Sequence, residues 1–479
     1  MCDYKFVGTM LFAAPLSLAN RCEEKDNEAQ KYRTMFMRDR DRILYSKAFR
    51  RLAGKTQIYS SGIDDHRRTR LTHTLEVSQI AGTISSALGL DRDLTEAIAL
   101  GHDIGHTPFG HAGEQILHEI MVPGSEIIKD NPMINVNPKS KGSKDLFGFK
   151  HNMQSVRMAV SLENIYGNFG LDLTNYTLWG IQFHSSSSYN KNKVRTKILD
   201  ADVYNIYNNK YMTKDGNIAW SFEAFVVKEA DEIAQWHHDL EDAIRGKAMT
   251  RNDVHAAIKK YFTKIMAIAD KDLLFKMHNN NIDDETFIIA MSRVVVNTLV
   301  NRIIECSLYN LNFLVENMSV DKTNVRDFFL NNSYEKDNIK YVISYEKNDK
   351  EAELGKALEK YPKLISEKVH HSMVVERMNL KGQYIIRKIF EAYYANPQQL
   401  PNHSIIQYLI LVGKYKTKES AQKAYMQKGE GTIRAKSDSF LKSAKFDDLS
   451  KIILMRVICD HIASMTDSYA ISEYHDLYE

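Results

Sequence analysis

The sequence HDIGHTPFGHAGE occupies residues 102–114. Residues 94–102, which end at the first residue of this segment, are mainly apolar at helical spacing, and this predicts a buried helix. A glycine and a proline inside the quoted segment end that helix, and a second helix can begin near Gly110. His102 and Asp103 therefore lie at a helix end, where both side chains can reach a common site.

Helical spacing of apolar residues continues on both sides of this segment. Residues 222–244, 287–308 and 449–470 are clear examples, with apolar positions recurring every three or four residues. Only eight prolines and 22 glycines occur in 479 residues, and strand-like alternation is scarce. The sequence predicts an all-α fold, with one large domain around residues 102–114 and a helical C-terminal extension.

Composition limits the class of protein. Hydrophobic residues make up 43% and charged residues 26% of the chain, as is usual for a soluble globular protein. The net charge of +3 gives no global reason to expect nucleic-acid binding. The four cysteines lie far apart without a CxxC pair, which argues against a thiolate zinc site or a disulfide framework and favours a reducing compartment.

One N-terminal stretch could be mistaken for a targeting segment. Residues 6–18 are mildly apolar, but Pro15 interrupts them and no clean cleavage site follows, so a cleaved signal peptide is not expected. No run of about 18 apolar residues occurs, and we therefore expect no membrane span. The sequence predicts a cytoplasmic protein.

Two stretches break the helical pattern. Glu126–Lys150 contains two Asn-Pro pairs and a Lys-Gly-Ser run, which predicts a long surface loop. Lys414–Lys445 is rich in lysine and has two glycines in its middle. It could be a solvated helix pair, a mobile segment or an arm that faces phosphate, and the solvated interpretation is favoured because charge runs usually face water.

Candidate metal ligands occur in three parts of the chain. His73 follows Arg70 by three positions, so in a helix the two share a face. Asp231 begins a polar stripe in a helix that is otherwise apolar. Together with His102 and Asp103, these residues supply two imidazoles and two carboxylates, a set that suits Mn, Fe, Co, Ni or Zn and leaves room for water or phosphate oxygens. The pattern predicts one metal site that could support hydrolysis.

Other polar side chains on these helices also need partners. The stripe consists of Asp231, Gln235, His238 or Asp239, and Asp242. Because burial of unpaired charge is costly, this stripe is expected to face a site. His111 and Glu114 are three positions apart, on one face of the helix predicted after residue 110.

On these motifs the chain resembles the deoxyguanosine triphosphate triphosphohydrolases of the HD superfamily. The superfamily pattern of His, then His-Asp, then a distant Asp is present as His73, His102-Asp103 and Asp231. Signatures of the narrower family resemble residues 39–52 with Lys55-Thr56-Gln57, 68–73, 102–114, 145–157 and 464–470. In 145–157 the positions of Asn152, Gln154 and Ser155 fit, whereas Phe149 is out of register. The resemblance extends from about residue 35 to the end and is weaker between about 250 and 450.

The resemblance implies roles for the matching positions. The implied metal ligands are His73, His102, Asp103 and Asp231. The implied catalytic residues are His111 with Glu114, as an acid/base pair near the α-phosphate, and His106, as a phosphate neighbour. The implied substrate-binding residues are Arg70 for a phosphate, Gln57 and Asp239 for the sugar 3′-hydroxyl, and Gln235 below the sugar. Manganese is the expected ion, one per chain, with Mg, Fe, Ni, Co and Zn as alternatives.

Two positions depart from the family pattern. Gln235 stands where many relatives carry a tyrosine that packs under the deoxyribose, so rejection of ribonucleotides must rest elsewhere or be weaker. Residues 182–185 read Gln-Phe-His-Ser where many relatives have a basic residue, Tyr and Pro. His184 in this stretch could meet phosphate or could be a surface residue.

The reaction implied by the resemblance is hydrolysis of a deoxynucleoside triphosphate, with dGTP favoured. Water attacks the α-phosphorus in line, and the 5′-oxygen leaves with help from His111, which Glu114 orients. The products would be a deoxynucleoside and inorganic triphosphate. The alternatives are another HD phosphohydrolase, such as a nucleotidase or a cyclic-nucleotide phosphodiesterase, and a regulator that binds nucleotides or single-stranded DNA.

The predicted organisation has three parts: an N-terminal segment at residues 1–34, an HD core at 35–250 and a helical C-terminal part at 251–479. The last part is expected to complete the substrate pocket and to make oligomer contacts. A homo-oligomer is expected by analogy with relatives, and single-stranded DNA or an effector nucleotide is a further candidate partner.

Overall fold

The structure is a computed structural model that describes residues 12–21, 32–57, 68–129, 131–132, 146–163, 170–185, 208–214, 217–278, 282–317, 342–347, 358, 360–370, 373–443 and 445–479. The backbone in these ranges is mainly α-helical, which confirms the predicted all-α class. One small antiparallel pair joins Thr213–Lys214 to Asn217–Ile218.

The α-helices of the described residues are numbered α1 to α18 in chain order. They are Met35–Leu44, Lys47–Arg51, Arg70–Leu88, Arg92–Gly101, Gly110–Met121, His151–Arg157, Asn175–Phe183, Phe222–Arg245, Arg251–Phe262, Ile268–Lys276, Asp284–Asn317, Lys360–His370, Met373–Ala395, Asn402–Leu411, Lys418–Lys428, Glu430–Leu441, Asp448–Ala463 and Asp467–Tyr478. Shorter 3₁₀ turns are Leu16–Leu18, Leu52–Gly54 and Pro397–Gln399, and π-helical turns are Met158–Leu162 and Asn208–Met212.

The helices around the quoted segment begin and end for local reasons. Thr69 caps α3, Asp91 caps α4 and Ser221 caps α8, because each side chain accepts a hydrogen bond from a backbone N–H of the first turn. α4 ends at Gly101, and α5 begins at Gly110, as the sequence predicts. The intervening residues 102–109, which we call the HD turn, connect the two helices.

Gly105 allows the HD turn to lie directly against α6. A Cβ atom at Gly105 would lie 2.1 Å from the backbone nitrogen of Ser155 and 2.6 Å from the carbonyl oxygen of His151. These are backbone atoms that cannot swing aside, so a larger residue would push the helix away. With glycine present, Gly105 N–H donates to the Ser155 hydroxyl at 2.9 Å. The close approach brings the first turn of α6 beside the HD turn.

Buried apolar side chains form two clusters. The first surrounds α3, α4 and α8 and includes residues between 254 and 369 from the helices that follow. The second joins α5 to the C-terminal helices α13 to α18. The HD turn connects α4 in the first cluster with α5 in the second, so its polar side chains lie where the two clusters meet. The domain boundaries at 34 and 250 stay predictions.

The lysine-rich segment Lys414–Lys445 forms a helix pair. α15 and α16 occupy most of it, with Gly429 between them at a φ of 75°. The helix-pair interpretation is therefore confirmed. Of the predicted surface loop Glu126–Lys150, residues 130 and 133–145 lie outside the described residues, as do residues 1–11 and 22–31 of the N-terminal segment.

One helix in the described part of the chain is long and apolar enough to cross a membrane by length and composition. It covers Asp284–Phe313 in α11, and 61% of its most apolar window is buried inside the fold. Its buried side chains belong to the first apolar cluster, beside those of α3 and α8. This burial is what a core helix requires.

Candidate active site

The four predicted metal ligands converge from two helices and the HD turn. Nε2 of His73, on α3, lies 2.9 Å from Oδ1 of Asp231, on α8. Nε2 of His102 lies 3.7 Å from Oδ1 of Asp103 and 3.9 Å from Oδ1 of Asp231. His73, His102 and Asp103 are buried. The structure thus brings together four side chains that span 158 positions of the chain.

The donor atoms fit a divalent cation. His102 Nδ1 donates to the carbonyl oxygen of Ala99 at 2.6 Å, which leaves a lone pair on Nε2. That nitrogen is buried without a hydrogen-bond partner among the described residues, although it faces two carboxylate oxygens. An unprotonated nitrogen that faces carboxylates is repelled unless a cation lies between them. An imidazole whose other nitrogen donates to a backbone carbonyl is the usual arrangement for a metal-ligating histidine.

Arg70 supports the carboxylate of Asp103. Arg70 Nη1 donates to Asp103 Oδ2 at 2.6 Å, and both side chains are buried. Burial alone would raise the pKa of Asp103, but His102 and Arg70 outweigh it and hold that pKa well below its ordinary value. Nε and Nη2 of Arg70 have no hydrogen-bond partner within the described ranges. Arg70 therefore keeps donors that a phosphate could accept, in addition to its role beside Asp103.

Glu114 links two histidines on the other side of the HD turn. Its Oε2 accepts from Nδ1 of His111 at 3.0 Å and from Nδ1 of His151 at 3.2 Å. Burial would raise the pKa of Glu114, but the charges and hydrogen bonds of His151 and His111 hold it well below its ordinary value. Because Glu114 is ionised, it fixes the ring orientation of both histidines. The His111 side chain is 66% exposed, so its other nitrogen can meet a bound molecule.

His151 is a site residue that the sequence analysis did not single out. Its ring stacks on that of His106, with centroids 4.3 Å apart, and its Nε2 lies 3.2 Å from Nε2 of His184. His106 Nε2 lies 3.9 Å from Asp103 Oδ1. The sequence feature that could have identified His151 is its position three residues before Gln154, within residues 145–157, which resemble a family signature. His151 thus connects the Glu114 pair to the metal-ligand group.

His184 belongs to the site, and its interpretation as a surface residue is wrong. The side chain is buried, with its ring centroid 5.0 Å from that of His102. Its Nδ1 donates to the carbonyl oxygen of Ile181 at 2.6 Å. Burial lowers the pKa of His184 to about 3, helped by the nearby His102 and His151. His184 is therefore a neutral wall of the site at neutral pH.

The predicted sugar contacts are less closely assembled. Asp239 is buried on α8, and burial, with a contribution from Asp242, raises its pKa to about 8. Oδ1 of Asp239 and Oε1 of Gln57 are both buried without a hydrogen-bond partner in the described part of the chain. Gln235 is half-buried, four positions after Asp231 on the same helix. No hydrogen bond between described residues joins Gln57 to Asp239.

Residues 463–467, near the C-terminus, fix the positions of Thr56 and the HD turn. The carboxylate of Asp467 accepts from the backbone N–H of Thr56 at 3.1 Å and from that of Phe109 at 2.9 Å. The buried amine of Lys55 donates to the carbonyl oxygens of His106 and Ala463. These contacts tie the residues before Gln57 and the HD turn to the last two helices.

Two family models match the chain. The HD domain model matches residues 70–136, which include α3, the HD turn and α5. The phosphohydrolase-associated domain model matches residues 422–476 in the C-terminal helices. The two matched regions are the ones that Lys55 and Asp467 hold together.

The chain is similar along most of its length to proteins named deoxyguanosinetriphosphate triphosphohydrolase-like protein. That of Bartonella tribocorum is 32% identical over 466 residues, which cover 95% of this chain and 91% of that protein. That of Rickettsia rickettsii is 30% identical over 447 residues, with 93% and 92% covered. A protein of the same name in Caldanaerobacter subterraneus is 41% identical over 241 residues, or 50% of this chain and 55% of that protein.

Proposed function

This chain belongs to the deoxyguanosinetriphosphate triphosphohydrolase-like family of HD-domain hydrolases, and from that premise we propose that it converts deoxynucleoside triphosphates, with dGTP favoured, to the deoxynucleoside and inorganic triphosphate. The observation that carries the proposal is the buried Nε2 of His102, which faces the carboxylates of Asp103 and Asp231 beside the histidines held by Glu114. Metal ligands and an oriented histidine at one site are what hydrolysis of a phosphate ester requires.

The proposed metal ligands are His73, His102, Asp103 and Asp231. A divalent ion bound there, with Mn²⁺ the expected one, would polarise a phosphoryl oxygen and lower the pKa of a water molecule. Arg70 keeps Asp103 ionised and binds its Oδ2, while Oδ1 lies 3.7 Å from Nε2 of His102. The unpaired Nε and Nη2 of Arg70 would bind a phosphate oxygen.

His111 is the proposed proton donor to the leaving 5′-oxygen. The ionised Glu114 accepts a hydrogen bond from Nδ1 of His111, which orients the ring. The proton that His111 gives to the leaving oxygen is then the one on Nε2, because Nδ1 is bonded to Glu114. His151 donates to the same Glu114 oxygen and so fixes the carboxylate from the buried side.

The product of the reaction tests the proposal most directly. With Mn²⁺ and dGTP we expect deoxyguanosine and inorganic triphosphate in equal amounts, and no accumulation of dGDP or dGMP. The reason is that Gln57 and Asp239 would anchor the sugar, so the phosphorus nearest the metal ligands is the α-phosphorus. The products of a panel of the four deoxynucleoside triphosphates and GTP can be separated by chromatography and quantified.

Isotope labelling sharpens this test. In H₂¹⁸O, attack at the α-phosphorus puts the label in triphosphate, whereas attack at the C5′ carbon puts it in deoxyguanosine. Formation of dGMP and pyrophosphate, or of labelled deoxyguanosine, would contradict the proposed reaction. Release of nucleoside from a monophosphate alone would instead favour a nucleotidase.

Asp239→Ala is expected to raise KM for dGTP and to reduce the preference for dGTP over its 2′,3′-dideoxy analogue by about tenfold or more. A hydrogen bond between buried neutral groups contributes on the order of 1.5 kcal/mol, and this energy corresponds to about a tenfold change in the preference. Because its folded-state pKa of about 8 lies above neutral pH, Asp239 carries its proton at pH 7. The matched control is therefore Asp239→Asn, which keeps a neutral polar group and should retain most of the preference. Equal hydrolysis of both analogues by the wild type would exclude this sugar assignment.

A further inference from the structure

We propose that Glu76, His237 and His238 form a second cation site, for zinc, that links α3 to α8 and shares no ligand with the catalytic centre. The proposed reaction uses none of these three side chains. One ligand atom from each of them lies within 4.8 Å of the ligand atoms of the other two. Two histidines and one glutamate are a known zinc ligand set, in which water takes the fourth position.

The spacing of the donor atoms suits zinc. Oε2 of Glu76 lies 3.4 Å from Nε2 of His237 and is also in short contact with Nε2 of His238. Nitrogen and oxygen ligands lie about 2.1 Å from zinc, so two of them in a tetrahedral arrangement are roughly 3.4 Å apart. The Glu76–His237 separation already has this value. The His238 contact is shorter than this and would have to open to admit an ion.

The hydrogen bonds of His237 leave a nitrogen that requires a positive partner. Nδ1 of His237 donates to the carbonyl oxygen of Ile233, one helical turn earlier, at 3.3 Å. In neutral imidazole the lone pair then lies on Nε2, which faces the carboxylate oxygen of Glu76. Two acceptors at this distance repel each other unless a proton or a metal ion lies between them. A donor bond from the other ring nitrogen to a backbone carbonyl is typical of metal-bound histidine.

Burial and charge favour a metal ion at this place. His237 and His238 are buried, whereas the Glu76 side chain is 34% exposed and gives water access to the cluster. Oε1 of Glu76 accepts from Nε of Arg68 at 3.2 Å, which orients the carboxylate. Arg68 also pairs with Glu241 at 2.6 Å. Two carboxylates and one guanidinium leave a net negative charge, which attracts a divalent cation.

The cluster lies close to the catalytic centre without belonging to it. The rings of His238 and His73 have centroids 5.2 Å apart. α3 carries both Glu76 and His73, and α8 carries both the histidine pair and Asp231. An ion in the second site would therefore fasten together the same two helices that place His73 beside Asp231.

Metal content of single and double variants tests the proposal. Full-length protein is stripped with a chelator, incubated with Zn²⁺, desalted and analysed by plasma mass spectrometry. We expect two zinc ions per wild-type chain, one in His102→Ala, one in His237→Ala and none in the double variant. Zn²⁺ should also raise the melting temperature of His102→Ala but not that of the double variant. His255→Ala, which changes a histidine on α9 outside both clusters, should keep two ions.

The outcomes separate this site from the proposed reaction, because the readout is metal content and not hydrolysis. One ion in the wild type and none in His102→Ala would overturn the proposal and leave a hydrogen-bonded cluster. If His237→Ala fails to fold, X-ray absorption of zinc-loaded His102→Ala replaces it. Scattering from two imidazoles supports the site, and zinc without imidazole ligands overturns it.

Discussion

His102→Ala is expected to remove the catalytic metal and to lower kcat/KM for dGTP by about 10³-fold or more. A metal that polarises a phosphoryl oxygen contributes several kcal/mol to the transition state, and each 1.4 kcal/mol is about a tenfold change in rate. His102 is the ligand best suited to this test, because its Nε2 has no other partner among the described residues. The substitution therefore breaks no hydrogen bond of Nε2 that could by itself explain a loss of activity.

Activity is measured at saturating Mn²⁺, and bound Mn²⁺ is measured by equilibrium dialysis at a concentration that occupies the catalytic site alone in the wild type. His255→Ala is the matched control, because His255 lies on α9 and bonds to the carbonyl oxygen of Leu274 at 3.1 Å. It should retain both the metal and the activity. A His102→Ala protein with wild-type metal affinity and turnover would refute the assignment of the four ligands.

His111→Ala should keep the metal and the affinity for substrate but lose turnover by on the order of 10²–10⁴, the usual contribution of a general acid or base. The His111 side chain is largely exposed, and its described hydrogen bond is to Glu114. Removing the ring breaks one hydrogen bond to the buried carboxylate of Glu114, which keeps its bonds to His151, so the free energy of unfolding should fall by no more than about 1.5–3 kcal/mol. If the variant keeps the metal and its affinity for substrate, the loss of turnover lies in the chemical step.

Single-turnover kinetics with dGTP separates binding from chemistry in this variant. Gln115→Ala is the control, because Gln115 is the exposed neighbour of Glu114 on the same helix and bonds to Glu119. Its rate should match that of the wild type. Near-normal turnover of His111→Ala would mean that another group protonates the leaving oxygen, and His106 would be tested next.

Much of the catalytic centre follows from short-range patterns in the sequence. Residues 102–103 must lie at a helix end because Gly105 and Pro108 interrupt the apolar spacing, and the structure ends α4 at Gly101. The pairing of His111 with Glu114 also follows, since residues three apart share a helix face. Such predictions hold because helical geometry fixes side-chain directions over one or two turns, whatever the rest of the chain does.

Other features depend on how distant elements pack, and sequence spacing carries little information about them. His151 joins the site because Gly105 lets α6 lie against the HD turn, and His184, at the end of α7, contacts His151 there. Likewise, Asp467 and Lys55 meet partners that are hundreds of positions away, because the second apolar cluster brings the last helices to α5.

The sequence by itself determined an all-helical chain with His73, His102, Asp103 and Asp231 as candidate ligands, since local periodicity fixes which residues share a helix face. The tertiary structure alone decided which faces meet. It pairs Arg70 with Asp103, and it places His151 beside Glu114 as a second hydrogen-bond partner. It also brings Glu76 next to His237 and His238. The physical reason is that a contact between helices is set by the packing of buried apolar surfaces, which are contributed by many residues distributed along the whole chain.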